Sequence, residues 1–453
     1  MVDIALPQGF DGTEKLPKTR RSLTNCWNAV DRIINRPGIT QLSTTDKVAR
    51  GQFIWNENIY QVVSGDLIKI TDVSTGAFSV IGTIDSFEPI DWDVGFNTAV
   101  IIVRSATGKG YTLDKSDVLT EITDPQFVPS NSVTHINGRF VYVPFNGDPA
   151  FYSDVGAGGS IQPLNFFDAE ELPDKNTVCF NFTNTLYIGG TDSIELFRNT
   201  GTDSLAFTRL QNGRIQNGYI GGILEYNQTF LFIGREKDQD VGIYAIAQGS
   251  APKISNEAID SILIRYTTTE LQNAVSSRFK WLGYDIATFT LARHSFGFLG
   301  GNWFILSTQS SNEAAPWQGG YINQYNGKYY TAYNDKIGRL DDINTDYGQT
   351  FEKTMDLAFE SEGLLDFSAQ SLTINISQGY NDAIGSVALQ LSHDNVLYTE
   401  PFYRQTGAIG QYYSELTWNY SGGLGLYKGF MGVRITTTEK VNFSTSKLVI
   451  NLR

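Results

Sequence analysis

The stretch GQFIWNENIYQVVSGDLIKI, residues 51–70, contains three short apolar runs separated by two polar kinks. Phe53 to Trp55 forms the first run and Ile59 to Val63 the second. A Ser64-Gly65 turn then leads into Leu67 to Ile70. Runs of this length, rich in β-branched and aromatic residues and bounded by Asn, Ser and Gly, read as strands. The phrase returns as VGFNTAVIIVRSATGKGYTL, THINGRFVYVPFNGDPAFYS, CFNFTNTLYIGGTDSIELFR and LEYNQTFLFIGREKDQDVGIYAI. Asn56, Asn97, Asn137, Asn184, Asn227 and Asn326 each precede an apolar strand, at spacings of 41, 40, 47, 43 and 99 residues. The last spacing is near two repeats, and the missing member is placed in residues 282–307.

A period of about 40–50 residues with several short strands each is the signature of propeller blades. One unit alone would expose two apolar faces and a raw edge. Stacked radially, each blade covers its neighbour. The expected fold is therefore all-β: a β-propeller of six or seven blades over residues 46–350. Residues 1–45 read as an extended N-terminal arm, with a turn at Arg36-Pro37-Gly38-Ile39. Residues 351–453 read as a C-terminal antiparallel β-sandwich-like domain, from alternating strands such as SLTINISQG, SVALQLSHD and KLVINLR. A helical insertion is expected near 258–277, capped by Thr268 or Thr269 and running to about Ser276. The repeated asparagines suit turns, where Asn tolerates a left-handed backbone.

Composition narrows the function. The 453 residues carry a formal net charge of −14, which disfavours nucleic-acid binding. Two cysteines, Cys26 and Cys179, make no disulfide framework. His135, His294 and His393 lie far apart, without metal-site spacing. The glycine-rich AGGS (157–160) and SGGLGLYKG (421–429) match no phosphate loop. The N-terminus has no signal-peptide pattern, and no run approaches the roughly 18 apolar residues of a membrane span. The carboxylate pairs Asp91/Asp93, Asp114/Asp117, Glu170/Glu171 and Asp341/Asp342 are available for hydrolysis, but 48 acidic residues make chance pairs common. TDSIE and DKSD could hold calcium only weakly. No catalytic, cofactor-binding or metal-ligating residue is assigned, and the reading is of a scaffold.

Several phrases, in order along the chain, carry a resemblance to a known family. They are PGIT (37–40), ARGQFIWNENIYQVVSGDLIKI (49–70), SIELFRNTG (193–201), AIDSILIRYTTTEL (258–271), LARHSFGF (291–298) and GFMGVRITTTEKVNFSTSKLVINL (429–452). The chain resembles the packaged-DNA stabilisation proteins, or tail hubs and nozzles, of short-tailed bacteriophages. It lacks that family's fuller asparagine-rich arm. The resemblance implies a non-enzymatic virion protein of the tail, assembled in the host cytoplasm as a hexameric ring below the portal-adaptor. Implied partners are the adaptor protein, tailspike or tail fibre, and a tail needle or plug, with no cofactor and no membrane. Genome DNA would pass through the lumen without sequence-specific binding. Six copies together carry about 84 negative charges, fourteen each, so such a lumen would not grip phosphates. Interface residues are expected at Arg36, Pro37, Gly38 and Ile39 in the arm. A second group is expected at Ile262, Ile264, Arg265, Tyr266 and Leu271 in the insertion. The alternative reading is a propeller that binds or hydrolyses glycans.

Overall fold

Positive backbone angles mark the repeat. Asn56-Glu57, Asn137-Gly138, Thr183-Asn184, Asn227-Gln228 and Asn326-Gly327 all adopt positive φ at both positions. Each pair closes a two-residue hairpin between the first two strands of a sheet. Such turns match the right-handed twist of the flanking strands, and they favour Asn and Gly because other side chains clash there. Asn97 is the exception: its loop is longer, closing between Val94 and Ala99, and Asn97 does not adopt positive φ. In residues 282–307 the turn is Leu282-Gly283, with φ of 50° and 86°. The asparagine count misses this member because leucine occupies the asparagine position.

This computed structural model describes the chain except residues 1, 6, 12–20, 30–31, 148, 169–173, 203–205, 238, 248, 309–314, 362–364, 378–383, 409–410, 445–446 and 453. Seven antiparallel sheets follow one another, and their first strands form a closed ring about an axis. These first strands are Ala49–Trp55, Ile90–Val94, Ser130–Ile136, Asn176–Phe182, Asn217–Tyr226, Val275–Trp281 and Tyr321–Tyr325, here blades one to seven. The fold is a β-propeller.

The second strands run apolar throughout because both faces are covered. In Thr98–Val103 of blade two, Ala99, Ile101 and Val103 join the cluster shared with blade one. Val100 and Ile102 point the other way, into the cluster shared with blade three. Successive side chains alternate faces, so a strand between two neighbours shows no polar alternation. Each seam has its own apolar cluster, including three–four, four–five and seven–one.

The insertion departs from its expected form. It holds two short helices, α1 (Glu257–Leu263) and α2 (Thr268–Gln272). Asn256 caps α1 by accepting from the Ile259 amide. The cap of α2 is Thr267, one residue earlier than expected, with a reciprocal bond to Glu270. The helix stops at Gln272 because Val275 already begins the inner strand of blade six. Blade five has three strands, and α1 buries Ala258, Ile259, Ile262 and Leu263 in its seam with blade six.

The first 45 residues do not project as an arm. Gly38–Thr44 forms the outer strand of blade seven, antiparallel to Lys336–Asp341. Ser22–Thr24 lies between Asn302–Leu306 of blade six and Lys353–Glu360. Cys26–Ala29 and Arg32–Asn35 form a hairpin that joins the C-terminal strands through Ile33 and Phe443. Beyond residue 350 the chain contributes to two sheets, and one of them continues blade six. Their inward faces share a core with blades six and seven, in which Leu23, Trp27, Phe279, Trp317, Leu357, Leu372, Trp418 and Val433 are all buried.

Lys353 lies in this core, fully buried, and its Nζ has no hydrogen-bond partner among the described residues. Burial lowers its pKa from 10.5 to about 7, with Arg36 and Lys440 adding to the fall and Cys26 and Glu439 opposing it. Between those limits the unfolded chain binds a proton that the folded chain does not, so stability gains with rising pH. The stability of wild type minus that of Lys353→Met should climb by about 1.4 kcal/mol per pH unit between pH 7 and 9.5 in urea titrations. A flat difference would refute the buried, uncompensated amine. Leu282 is 65% exposed, so replacing it costs little packing. Leu282→Asn should stabilise the chain by about 1 kcal/mol, seen as a raised Tm. A fall in Tm would show that the leucine makes a contact worth more than its backbone strain.

Candidate functional site

The sequence-predicted residues fall into two places. Arg36, Pro37, Gly38 and Ile39 are all buried inside the chain, which corrects their expected placement on an intermolecular surface. Gly38 is needed for close approach and not for a turn. A Cβ there would stand 2.4 Å from the Thr345 carbonyl oxygen. Ile39 pairs with Leu340 in the seventh blade.

Arg36 makes the densest polar contact of this seam. Its Nη1 and Nη2 donate to the two oxygens of Asp346 at 2.9 and 2.6 Å. Nε donates to Asn25 Oδ1, Nη1 also to Pro37 O, and Nη2 also to Ser307 O. Every N–H of the guanidinium thus has an acceptor. Both charged side chains are 0% exposed. The Phe351 ring lies 3.6 Å from the guanidinium carbon. Asn25, at φ 60°, accepts from the Ser307 amide and donates to Glu352 O. Asp346 was not legible as the partner of Arg36, because 310 residues separate them in sequence.

In the insertion, Ile262, Tyr266 and Leu271 are buried, and Ile264 and Arg265 are exposed. Tyr266 OH and His294 Nδ1 are 2.6 Å apart, which ties the α1–α2 connection to blade six. Ile264 is 55% exposed, a large apolar side chain at the tip of the connection.

The axis is the other candidate. A cavity of about 450 Å³ lies between the inner strands of blades one, two, five, six and seven. A second, of about 270 Å³, continues between blades two to five. Asp91, Trp92, Arg104, Tyr219 and Ile223 line both.

The carboxylates reach their neighbours instead of the open space. Asp91 Oδ2 accepts from Ser132 Oγ and the Val133 amide, and Asp93 Oδ2 from Thr134 Oγ1 and the His135 amide. They bind blade two to blade three. Burial raises the pKa of both, against these bonds and, for Asp91, the nearby Arg104. Asp117 accepts from Tyr60 OH and Lys69 Nζ, while Asp114 accepts from the amides of Ser116 and Val118. Asp341 pairs with Arg339 and Asp342 with Lys440. Glu170 and Glu171 lie outside the described residues. Among the described residues no cluster of three or more His, Cys, Asp or Glu could hold a metal ion. Cys26 and Cys179 are buried free thiols, and burial pushes Cys26 up to about 12.

The closed ring of sheets, with an N-terminal strand completing the last blade, defines the class of the chain as a β-propeller. The chain belongs to the bacteriophage P22 Gp10 β-propeller family, whose model matches residues 28–344. That match includes both the closing strand and the last blade. Over 429 residues the chain is 21% identical to the tail hub protein gp10 of Salmonella phage P22, covering 90% of this chain and 89% of that protein. Among solved structures it is similar to the N-terminal domain of Nup159, with 12% identity, a TM-score of 0.42 and coverage of 74% and 98%. It is likewise similar to the Neurospora crassa Pan2 WD40 domain, with 10% identity, a TM-score of 0.41 and coverage of 70% and 99%.

Truncating Arg36 would leave Asp346 buried with an uncompensated charge. Arg36→Ala should destabilise the chain by about 3–5 kcal/mol in urea unfolding, and Arg36→Lys should restore only part of that. A loss below about 1 kcal/mol would mean that the seam holds without this ion pair.

Proposed function

We propose that the chain is a structural subunit of a short-tailed phage tail, a tail hub, acting by assembly and not by catalysis. The observation that carries this reading is the family match over the whole closed ring, together with near full-length similarity to a tail hub protein. Chemistry on the page agrees with it. The described carboxylate pairs are engaged in hydrogen bonds or ion pairs, and those of Asp91 and Asp93 bind one blade to the next. Large apolar side chains remain on the surface, including Phe96, Leu164, Leu397 and Tyr413. Exposed apolar area of this kind suits contact with other subunits.

In this reading the subunit forms a hexameric ring. It docks on the portal-adaptor protein, carries tailspikes or fibres, and holds a needle or plug that retains the genome. The net charge of −14 per copy would let DNA slide through such a ring. Arg36 to Ile39 are internal, so in this reading they are not the contact residues. Ile264 and Arg265 remain as interface residues, at the exposed tip of the insertion.

Particles made without this protein should fill with DNA and then lose it, while protein supplied in trans should restore retention. Particles that keep their DNA and infect normally would exclude a tail-hub role. Ile264→Asp should leave Tm within about 1 °C of wild type, as an exposed substitution does, yet reduce incorporation into particles. Normal incorporation would remove the insertion tip from the interface.

A further inference from the structure

Arg104 contrasts with Arg36. Its Nε lies 3.4 Å from Asn131 Oδ1, and its terminal nitrogens make no hydrogen bond or ion pair with a described residue. Asp91, the acid that lines both cavities with it, uses its Oδ2 on the next blade instead. An unused guanidinium fork in a cavity is a receptor for a planar anion.

The surrounding wall consists of donors and aromatic faces. The hydroxyls of Tyr219 and Tyr321 have no hydrogen-bond partner among the described residues, and neither is a sealed, waterless atom. Burial raises both pKa values to about 12, with Arg104 opposing, so both stay protonated donors at neutral pH. The indole N–H of Trp92 is likewise unpartnered yet not sealed. Its ring is held in place from behind: a Cβ on Gly51 would lie 2.5 Å from it. Trp92 and Tyr321 meet edge to face at 6.1 Å, forming a corner and not a flat wall.

This chemistry selects its ligand. The larger cavity is lined by two cations, Arg50 and Arg104, and one carboxylate, Asp91. Arg50 donates to the carbonyls of Ser64, Ser86 and Glu88, and the net single positive charge favours a monoanion over a phosphate dianion. Aromatic walls gain from a ring with an apolar face, and several free donors suit multiple hydroxyl oxygens. The cavity of about 450 Å³ is large enough for a sugar ring or two. We propose that the propeller axis binds a uronic acid residue, its carboxylate on Arg104, its ring against Trp92, and its hydroxyls on Tyr219 and Tyr321. The site binds and does not cleave, since Asp91 and Asp93 are bonded to blade three. It does not depend on the tail-hub reading, and its failure would leave that reading intact.

Glucuronate, glucose, acetate and inorganic phosphate would be titrated into the full chain at pH 7 by ligand-observed NMR and calorimetry. Saturable glucuronate binding at about millimolar or tighter is expected, with glucose at least about tenfold weaker. Arg104→Gln should weaken glucuronate about tenfold or more, and Tyr321→Phe about threefold. No saturable binding, or full affinity in Arg104→Gln, overturns the proposal. Acetate or phosphate binding as tightly as glucuronate also overturns it, leaving a general anion site. If Arg104→Gln loses its native circular dichroism, Tyr321→Phe decides, because it deletes one oxygen that bonds no described residue; unchanged affinity there counts against the site.

Discussion

The buried pair of Arg36 and Asp346 is the contact on which the rest of the arrangement depends. A radial stack of sheets has one intrinsic weakness, the seam where the last blade meets the first. Here the ring is closed by Gly38–Thr44, which reaches the last blade and pairs with Lys336–Asp341. Arg36 stands at the start of that strand and Asp346 just after the last blade, so the ion pair fixes the strand's entry. Removing two charges from water is costly. The full set of acceptors around the guanidinium is what makes the pair tolerable there. The same node reaches Asn25, Ser307 and Phe351, and so couples the N-terminal strands, blade six and the C-terminal sheets.

The remaining seams use a second device. Inner strands of adjacent blades run side by side without forming a backbone ladder, which would leave edge amides and carbonyls unsatisfied. Side chains fill that role. Asp91 and Asp93 bond blade three, and Asn131 and Asn181 bond between blades three and four. Ser276 bonds the Ile223 carbonyl of blade five, and Ser277 the Gly320 carbonyl beside blade seven. Gln52 reaches Tyr330 O, closing seven onto one. These bonds draw the inner strands toward the axis but cannot fill it, and the residual cavity is where Arg104 and the two tyrosines keep free donors.

A protein built this way suits a mechanical duty. The ring is closed by strands from both ends of the chain, so unravelling it requires breaking a buried ion pair as well as a sheet. Its outer surface keeps exposed aromatic and aliphatic side chains, while its acids are largely engaged or solvated. That combination fits a structural subunit of a virion tail.

The sequence by itself determined the β class, the repeat and nearly every hairpin. Those depend on nearest-neighbour physics: alternation along a strand, and the left-handed backbone that Asn and Gly accept. It also marked Asp91 and Asp93 as a pair, though not as a bond between blades. It placed the blade-six repeat only broadly, in residues 282–307, because leucine occupies the asparagine position at 282, and it misjudged residues 36–39 because a strand that closes a ring looks, locally, like an extended tail. Only the tertiary structure decided that seven sheets close, that Arg36 meets Asp346, and that the terminal nitrogens of Arg104 are left without a partner among the described residues. Each of these joins residues distant along the chain, and their chemistry is set by burial, which no local pattern encodes.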